Sequence, residues 1–214
     1  MIDLDTGGGE LFSSLGPFPT NTWATESYPP NIPVARAHLE PLGVRVISEY
    51  TDTSIPLPNT SLDLVTNRHG SYSETELMRL LKPGGIFLTE QVGGQNCFHL
   101  NELLQEQPEF IYSYWTVERI TRQLKEAGFE LLHIQEEFPQ AEFADIGAVV
   151  FYLRVIPWQV EDFSMEKYRE KLFTIHRDIL AHGPLKVNDH RILIISKKPT
   201  IDINHRGSSA QNGH

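Results

Sequence analysis

The chain has 214 residues, 40% hydrophobic and 21% charged, with a formal net charge of -10. This make-up suits one soluble globular domain with a substantial core, and the acid excess disfavours a nucleic-acid partner, because phosphate binding draws on a basic surface. No apolar run approaches the ~20 residues that cross a bilayer, no basic-then-apolar leader opens the chain, and the one cysteine, Cys97, excludes an internal disulfide framework, so a cytoplasmic protein without a membrane partner is expected.

Apolar and acidic residues alternate from Met1 to Asp5, Gly7-Gly8-Gly9 follow, and a short helical segment starts at Glu10, which reads as strand, tight turn and helix. A side chain at Gly7 or Gly9 would hinder the backbone from closing round a nucleotide-like ligand. The helix stops at Gly16-Pro17-Phe18-Pro19. Thr22 to Glu26 reads as a second short strand, and its terminal acid lies roughly twenty residues beyond the glycines, the place from which a carboxylate accepts hydrogen bonds from ribose hydroxyls. The alternative for Glu26 is a solvated loop acid.

Val34 to Leu42 is expected to be a helix closed by Gly43, and Val44 to Ile47 a third strand. Leu62 to Val65 reads as a fourth strand ending at Thr66-Asn67-Arg68-His69, and Glu74 to Leu81 as a helix broken by Lys82-Pro83-Gly84-Gly85. Ile86 to Glu90 is the fifth strand. Strands alternating with helices predict a mostly parallel sheet with its ligand crevice at the strands' carboxyl ends. Trp115 to Ala127 has helical periodicity, Phe129 to Gln135 reads as a sixth strand, Met165 to His182 as a helix and Arg191 to Ser196 as the last strand. The segment 199–214 lacks an apolar pattern and is expected to be disordered.

Leu4-Asp5-Thr6-Gly7-Gly8-Gly9-Glu10, Glu26, Leu57 to Val65 and Arg79-Leu80-Leu81-Lys82-Pro83-Gly84-Gly85 occur in an order that resembles the class I S-adenosylmethionine-dependent methyltransferases of the type 11 kind. The resemblance covers about Met1 to Glu137. It implies a Rossmann-like α/β fold: a mostly parallel seven-stranded sheet, helices on both faces and an antiparallel last strand. It implies a cofactor domain over 1–198, with 138–183 an insertion on the acceptor side. It also implies S-adenosyl-L-methionine as cofactor, with Gly7, Gly8 and Gly9 near its methionine and ribose, Asp5 ordering the loop and Glu26 on the ribose. Thr51 and Asp52 would lie near the adenine, and Asn67 and Arg68 beside the methyl group. The family usually places helices ahead of the glycine motif, whereas this sequence starts on the first strand, so a truncated product or a late start, with a less covered cofactor, is expected.

Methyl transfer is an in-line displacement, so the protein must position a nucleophile and remove a proton where one is carried. His69 is the first candidate base, with loop orientation as its other role, and Tyr72 the second. Tyr152 and Trp158 are candidate walls of an acceptor pocket and Arg154 a partner for an anionic group, although an aromatic run is more often core. Asp63 reads as structural and Cys97 as inert. His176, His182, His190 and His205 share no ligand spacing, and no metal site is expected. The expected function is methylation of an oxygen or nitrogen of a small molecule. Alternatives are a non-catalytic remnant and an RNA base methyltransferase. A nucleotide-dependent dehydrogenase fits the glycine pattern less well.

Overall fold

A computed structural model describes residues 1–200. The segment 201–214, most of the tail expected to be disordered, and with it His205, lies outside the described residues.

Nine strands and seven α-helices alternate along the described chain. Strands β1 (Ile2–Leu4), β2 (Trp23–Thr25), β3 (Arg45–Ile47), β4 (Leu62–Arg68), β5 (Leu81–Val92), β6 (Glu130–Glu137) and β9 (Arg191–Lys197) form one sheet in the order β3-β2-β1-β4-β5-β9-β6. β1 pairs in parallel with both β2 and β4, and β2 with β3. β5 and β9 run in opposite directions: Gly84 bonds the carbonyl of Lys198 at one end, and Gly93 that of His190 at the other. The expected Rossmann-like sheet, mostly parallel with antiparallel pairing near its end, is therefore present. Strand order reverses between β1 and β4, which makes their carboxyl ends a topological switch point.

Two compact units divide the chain. Among the described residues, the first comprises Met1–Thr89, Gln123–His133 and 194–200; the second comprises Glu90–Arg122 and Ile134–Leu193. In the first unit, Phe12 of the one-turn α1 (Glu10–Ser13) packs with Ala24, Val44, and Ala35 and Leu39 of α2 (Ile32–Leu39). The predicted helix to Leu42 changes character after Leu39, where Glu40–Leu42 tighten into a 3-10 turn because Pro41 cannot supply an α-helical N–H. Gly43 then ends it at φ +81°.

Helix α3 (Glu74–Leu80) starts at Ser73, whose hydroxyl accepts from the Glu76 N–H at 3.3 Å. The predicted break at Lys82-Pro83-Gly84-Gly85 is instead already strand, because Gly84 and Gly85 exchange hydrogen bonds with Lys198. Asp63 is exposed on β4 and pairs with Lys82 at 2.9 Å. Glu76, 4% exposed, accepts from Arg79 Nε at 2.7 Å and from the Ile55 N–H at 2.7 Å. Arg79 in turn donates to the carbonyls of Ile55 and Leu57 and to Asn59. One buried carboxylate thus anchors the loop that feeds β4.

In the second unit, α4 (Phe98–Leu104), α6 (Ile146–Val155) and α7 (Arg169–His182) surround a core that includes Leu100, Leu104, Val149, Leu153, Leu172 and Ile175. A two-stranded antiparallel pair, β7 (Gln140–Phe143) with β8 (Leu185–Asn188), completes it. Helix α5 (Val117–Glu126) carries buried Ile120 and Leu124 four residues apart. Buried amides form a closed network: Gln159 donates to Asn101 Oδ1 at 2.7 Å and to the Asn96 carbonyl at 3.1 Å, and Asn101 donates to the Gln159 carbonyl at 2.7 Å. Cys97, 2% exposed, sits beside this network, and burial pushes its thiol up to about 11. His190, 1% exposed, is satisfied: Nδ1 accepts from the Gln95 N–H at 3.1 Å and Nε2 donates to Glu136 at 2.9 Å. Among the described residues no helix is long and apolar enough to cross a membrane.

Glu76→Ala removes the counter-charge of Arg79 and the acceptor of the Ile55 N–H, and a loss of about 2–3 kcal/mol in urea unfolding is expected. A loss below about 0.5 kcal/mol, the size of an ordinary surface change, would show that the loop does not depend on this carboxylate.

Candidate functional site

The chain leaves β1 through left-handed residues at Asp5 (φ +53°), Gly7 (φ +64°) and Gly9 (φ +79°). A Cβ at Gly9 would stand 2.9 Å from Leu39 Cγ, so the close approach of this turn to α2 requires glycine. A Cβ at Gly7 would meet nothing within 4 Å, which leaves open room beside the turn. Gly8 holds the loop from another side, its carbonyl lying 2.7 Å from Nδ1 of His38.

Asp5 stitches the neighbouring strand ends together. Its N–H donates to Thr25 Oγ1 at 2.9 Å, and the Thr6 N–H donates to the Thr25 carbonyl at 2.9 Å. The Asp5 carboxylate accepts from the Tyr50 hydroxyl and, at 3.1 Å, from the Ser71 N–H. Gly70 allows this approach, since a Cβ there would come within 2.5 Å of Asp5 Cβ. Burial pushes the Asp5 carboxyl up; the Tyr50 hydrogen bond opposes this, while the negative charges of Asp52 and Glu26 add to it. The phenol of Tyr50 is pushed up to about 12, first by burial and then by its bond to Asp5.

Glu26, 6% exposed, stands at the end of β2, its carboxylate accepting from the Tyr28 N–H at 2.7 Å and from the Asn31 amide at 3.4 Å. A loop acid with solvated oxygens would lack both burial and this backbone anchor. Thr51 lies in a tight turn, exchanging backbone bonds with Ser54, and is exposed, whereas Asp52 is half-buried. Glycine turn, Glu26 and Asp52 thus belong to one acid-walled region of the first unit.

At the end of β4, Asn67 is 1% exposed, and its amide donates to the Leu4 carbonyl at 3.3 Å while accepting from Thr89 at 3.1 Å. It therefore ties β1 to β4 and β5. Arg68 and His69 are exposed, and His69 has φ +60°. Tyr72 packs its edge on Phe87 with ring centroids 4.9 Å apart, and its buried hydroxyl has no hydrogen-bond partner among the described residues. Burial, and secondarily Glu74, push its ionisation well above the ordinary tyrosine range.

The three acceptor-side residues lie in the second unit. Tyr152, on α6, donates its hydroxyl to Gln159 at 3.1 Å; Arg154 is exposed on the same helix, and Trp158 is 43% exposed just beyond it. None of them lines the cavity of about 410 Å³ in this unit, which is bounded by Gln95, Phe98, Phe138, Gln140, Lys186 and Asn188. Sequence reasoning missed Tyr50 and Ser71, which meet Asp5 across 45 and 66 residues of chain without a local pattern to mark them.

No protein-family model matches the chain, and no curated protein matches it. Solved structures do. A proposed methyltransferase from Bacillus halodurans superposes with a TM-score of 0.64 at 20% identity, over 93% of this chain and 92% of that one. The YcgJ protein from Bacillus subtilis gives 0.63 at 17% identity, over 92% and 91%. The chain has the class I methyltransferase fold. The cyclase SpnF shares it too, with a TM-score of 0.54 at 14% identity over 93% and 75% of the two chains. Likeness at these identities concerns the fold, and the activity must be argued from the site.

Asp3, on β1, is 9% exposed and accepts from the Thr66 hydroxyl at 2.6 Å. Burial nevertheless pushes its carboxyl up to about 6 from an ordinary 3.8. The folded chain therefore holds this proton more tightly than the unfolded one, a contribution complete below about pH 4 and lost as pH rises through about 6. Asp3→Asn retains an acceptor for Thr66 and does not titrate. Between about pH 4.5 and 7.5 its stability relative to wild type should improve by about 2 kcal/mol in denaturant unfolding; a gap independent of pH would refute the assignment.

Proposed function

We propose that the chain binds S-adenosyl-L-methionine at the glycine turn and transfers its methyl group to an oxygen or nitrogen of a small acceptor. The observation that carries this reading is the acid-walled turn at the β1/β4 switch point, with buried, backbone-anchored Glu26 at the end of the adjacent β2. A cationic adenosyl ligand suits that lining. A pyrophosphate does not: α1 is a single turn with little helix dipole, and Asp5, Glu26 and Asp52 would repel it.

When bound, S-adenosylmethionine supplies an electrophilic methyl on a cationic sulfur. The chain's task is then positioning and proton handling. Glu26, oriented by Tyr28 and Asn31, accepts from the ribose hydroxyls. Gly7 and Gly9 let the backbone approach the ligand, Thr51 and Asp52 flank the adenine, and Asn67 fixes the position of the β4 end on which Arg68 and His69 stand. His69 takes the acceptor's proton.

Titration calorimetry with S-adenosylhomocysteine, which cannot donate a methyl group, tests the site directly. Micromolar binding is expected, weakened about tenfold or more in Glu26→Ala, a change of ~1.4 kcal/mol. Absence of heat from the wild-type chain would sink the cofactor reading. In acceptor assays His69→Ala should lower kcat and leave cofactor affinity unchanged, whereas full turnover would remove His69 as base.

A further inference from the structure

The cavity of about 410 Å³ in the second unit is walled entirely by residues of that unit, and its volume is that of a small-molecule site. Phe98, the first residue of α4, and Phe138, directly after β6, supply aromatic surface. Gln95, Gln140 and Asn188 stand around them, and their side-chain carboxamides form no hydrogen bond among the described residues. The buried amides of Asn101 and Gln159 bond each other, whereas these three leave donors and acceptors open on one concave surface.

One buried imidazole holds two of the walls. His190 stacks on Phe138 with ring centroids 4.5 Å apart and planes inclined by 23°, and its Nδ1 accepts from the Gln95 N–H at 3.1 Å. Its Nε2 donates to Glu136 at 2.9 Å, which fixes the ring. Gly93 makes room for it, since a Cβ there would stand 2.2 Å from the imidazole. Phe138 is thereby held in place and still keeps 45% of its surface exposed. An aromatic wall positioned in advance binds a flat partner at little entropic cost.

Charge narrows the partner further. Glu102, at the cavity edge, is matched by His99, whose Nδ1 lies 2.9 Å from its carboxylate. Lys186 is matched less closely: its ion pair with Glu142 spans 3.8 Å, too long for a hydrogen bond, so its ammonium keeps donors for a second acceptor. We propose that this cavity binds a flat aromatic carboxylate. The ring lies against Phe98 and Phe138, the carboxylate on Lys186, and polar ring substituents on the three carboxamides. Binding here does not depend on the cofactor reading above.

Hydroxynaphthoate, a fluorescent fused-ring acid with its hydroxyl and carboxylate on opposite rings, is the probe. Titrating the full chain into it, with no adenosyl ligand present, should raise its anisotropy with a Kd of about 0.1 mM. Lys186→Met keeps the side-chain stem and removes the charge, so it should weaken the acid about fivefold and leave neutral naphthol within about twofold. Phe138→Leu should weaken both ligands about fivefold, because both lose the ring contact. Both positions are exposed, so both variants should retain the wild-type circular dichroism spectrum. No anisotropy change up to about 1 mM protein would overturn the proposal. So would a Lys186→Met chain that weakens acid and naphthol alike, or neither, and a Phe138→Leu chain of unchanged affinity would place the probe elsewhere and overturn it as well.

Discussion

The carboxyl edge of the sheet depends on one constrained reversal, the passage from Leu4 to Glu10 through Asp5, Gly7 and Gly9 at positive φ. Gly9 must pass against Leu39, and Asp5 must reach Ser71 past Gly70. These contacts join the ends of β1 and β4 to α2, so the turn is held by its neighbours rather than by its own sequence. Left-handed backbone at a residue other than glycine persists only when the surroundings over-determine it. Here the Thr25, Tyr50 and Ser71 bonds do so. Asn67 reinforces the same seam from beneath, its buried amide bridging the Leu4 carbonyl and Thr89.

Polar groups organise each unit differently. In the first, carboxylates gather near the turn, and Asp3 and Asp5 both ionise less readily than free aspartate. Such an arrangement opposes stability. In the second unit the buried amides of Asn101 and Gln159 satisfy each other and nearby backbone carbonyls, and the Asn96 side chain bonds Tyr152, Arg191 and the His190 N–H, so removing one leaves several groups without partners. Closed networks of this kind favour a single packing arrangement.

The first half of the fold was legible because its signals are local. A glycine cluster after an alternating run and a glycine after Leu42 each declare themselves within a few residues. Gly84 and Gly85 were misread because glycines usually break elements, whereas here β9 supplies partners to the backbone of that turn. Helix α6 was hidden: Val149 and Leu153 are buried, but Phe151 and Val155 are apolar and exposed, which erases the helical period. In the candidate site, the placing of Glu26 at the end of β2 was legible from its distance to the glycines and Tyr50 was not, because its link to Asp5 exists only once β3 and β1 lie on either side of β2. The orphan hydroxyl of Tyr72 is likewise a property of packing.

The single cysteine of the chain gives the second unit an internal clock. Cys97 is shielded by its core and resists ionisation, and thiol reagents attack thiolates. Its modification therefore waits for the surrounding structure to open, and the speed of labelling follows how often that happens. A single unlabelled side chain thus records breathing motions in the half of the molecule that lacks the glycine turn.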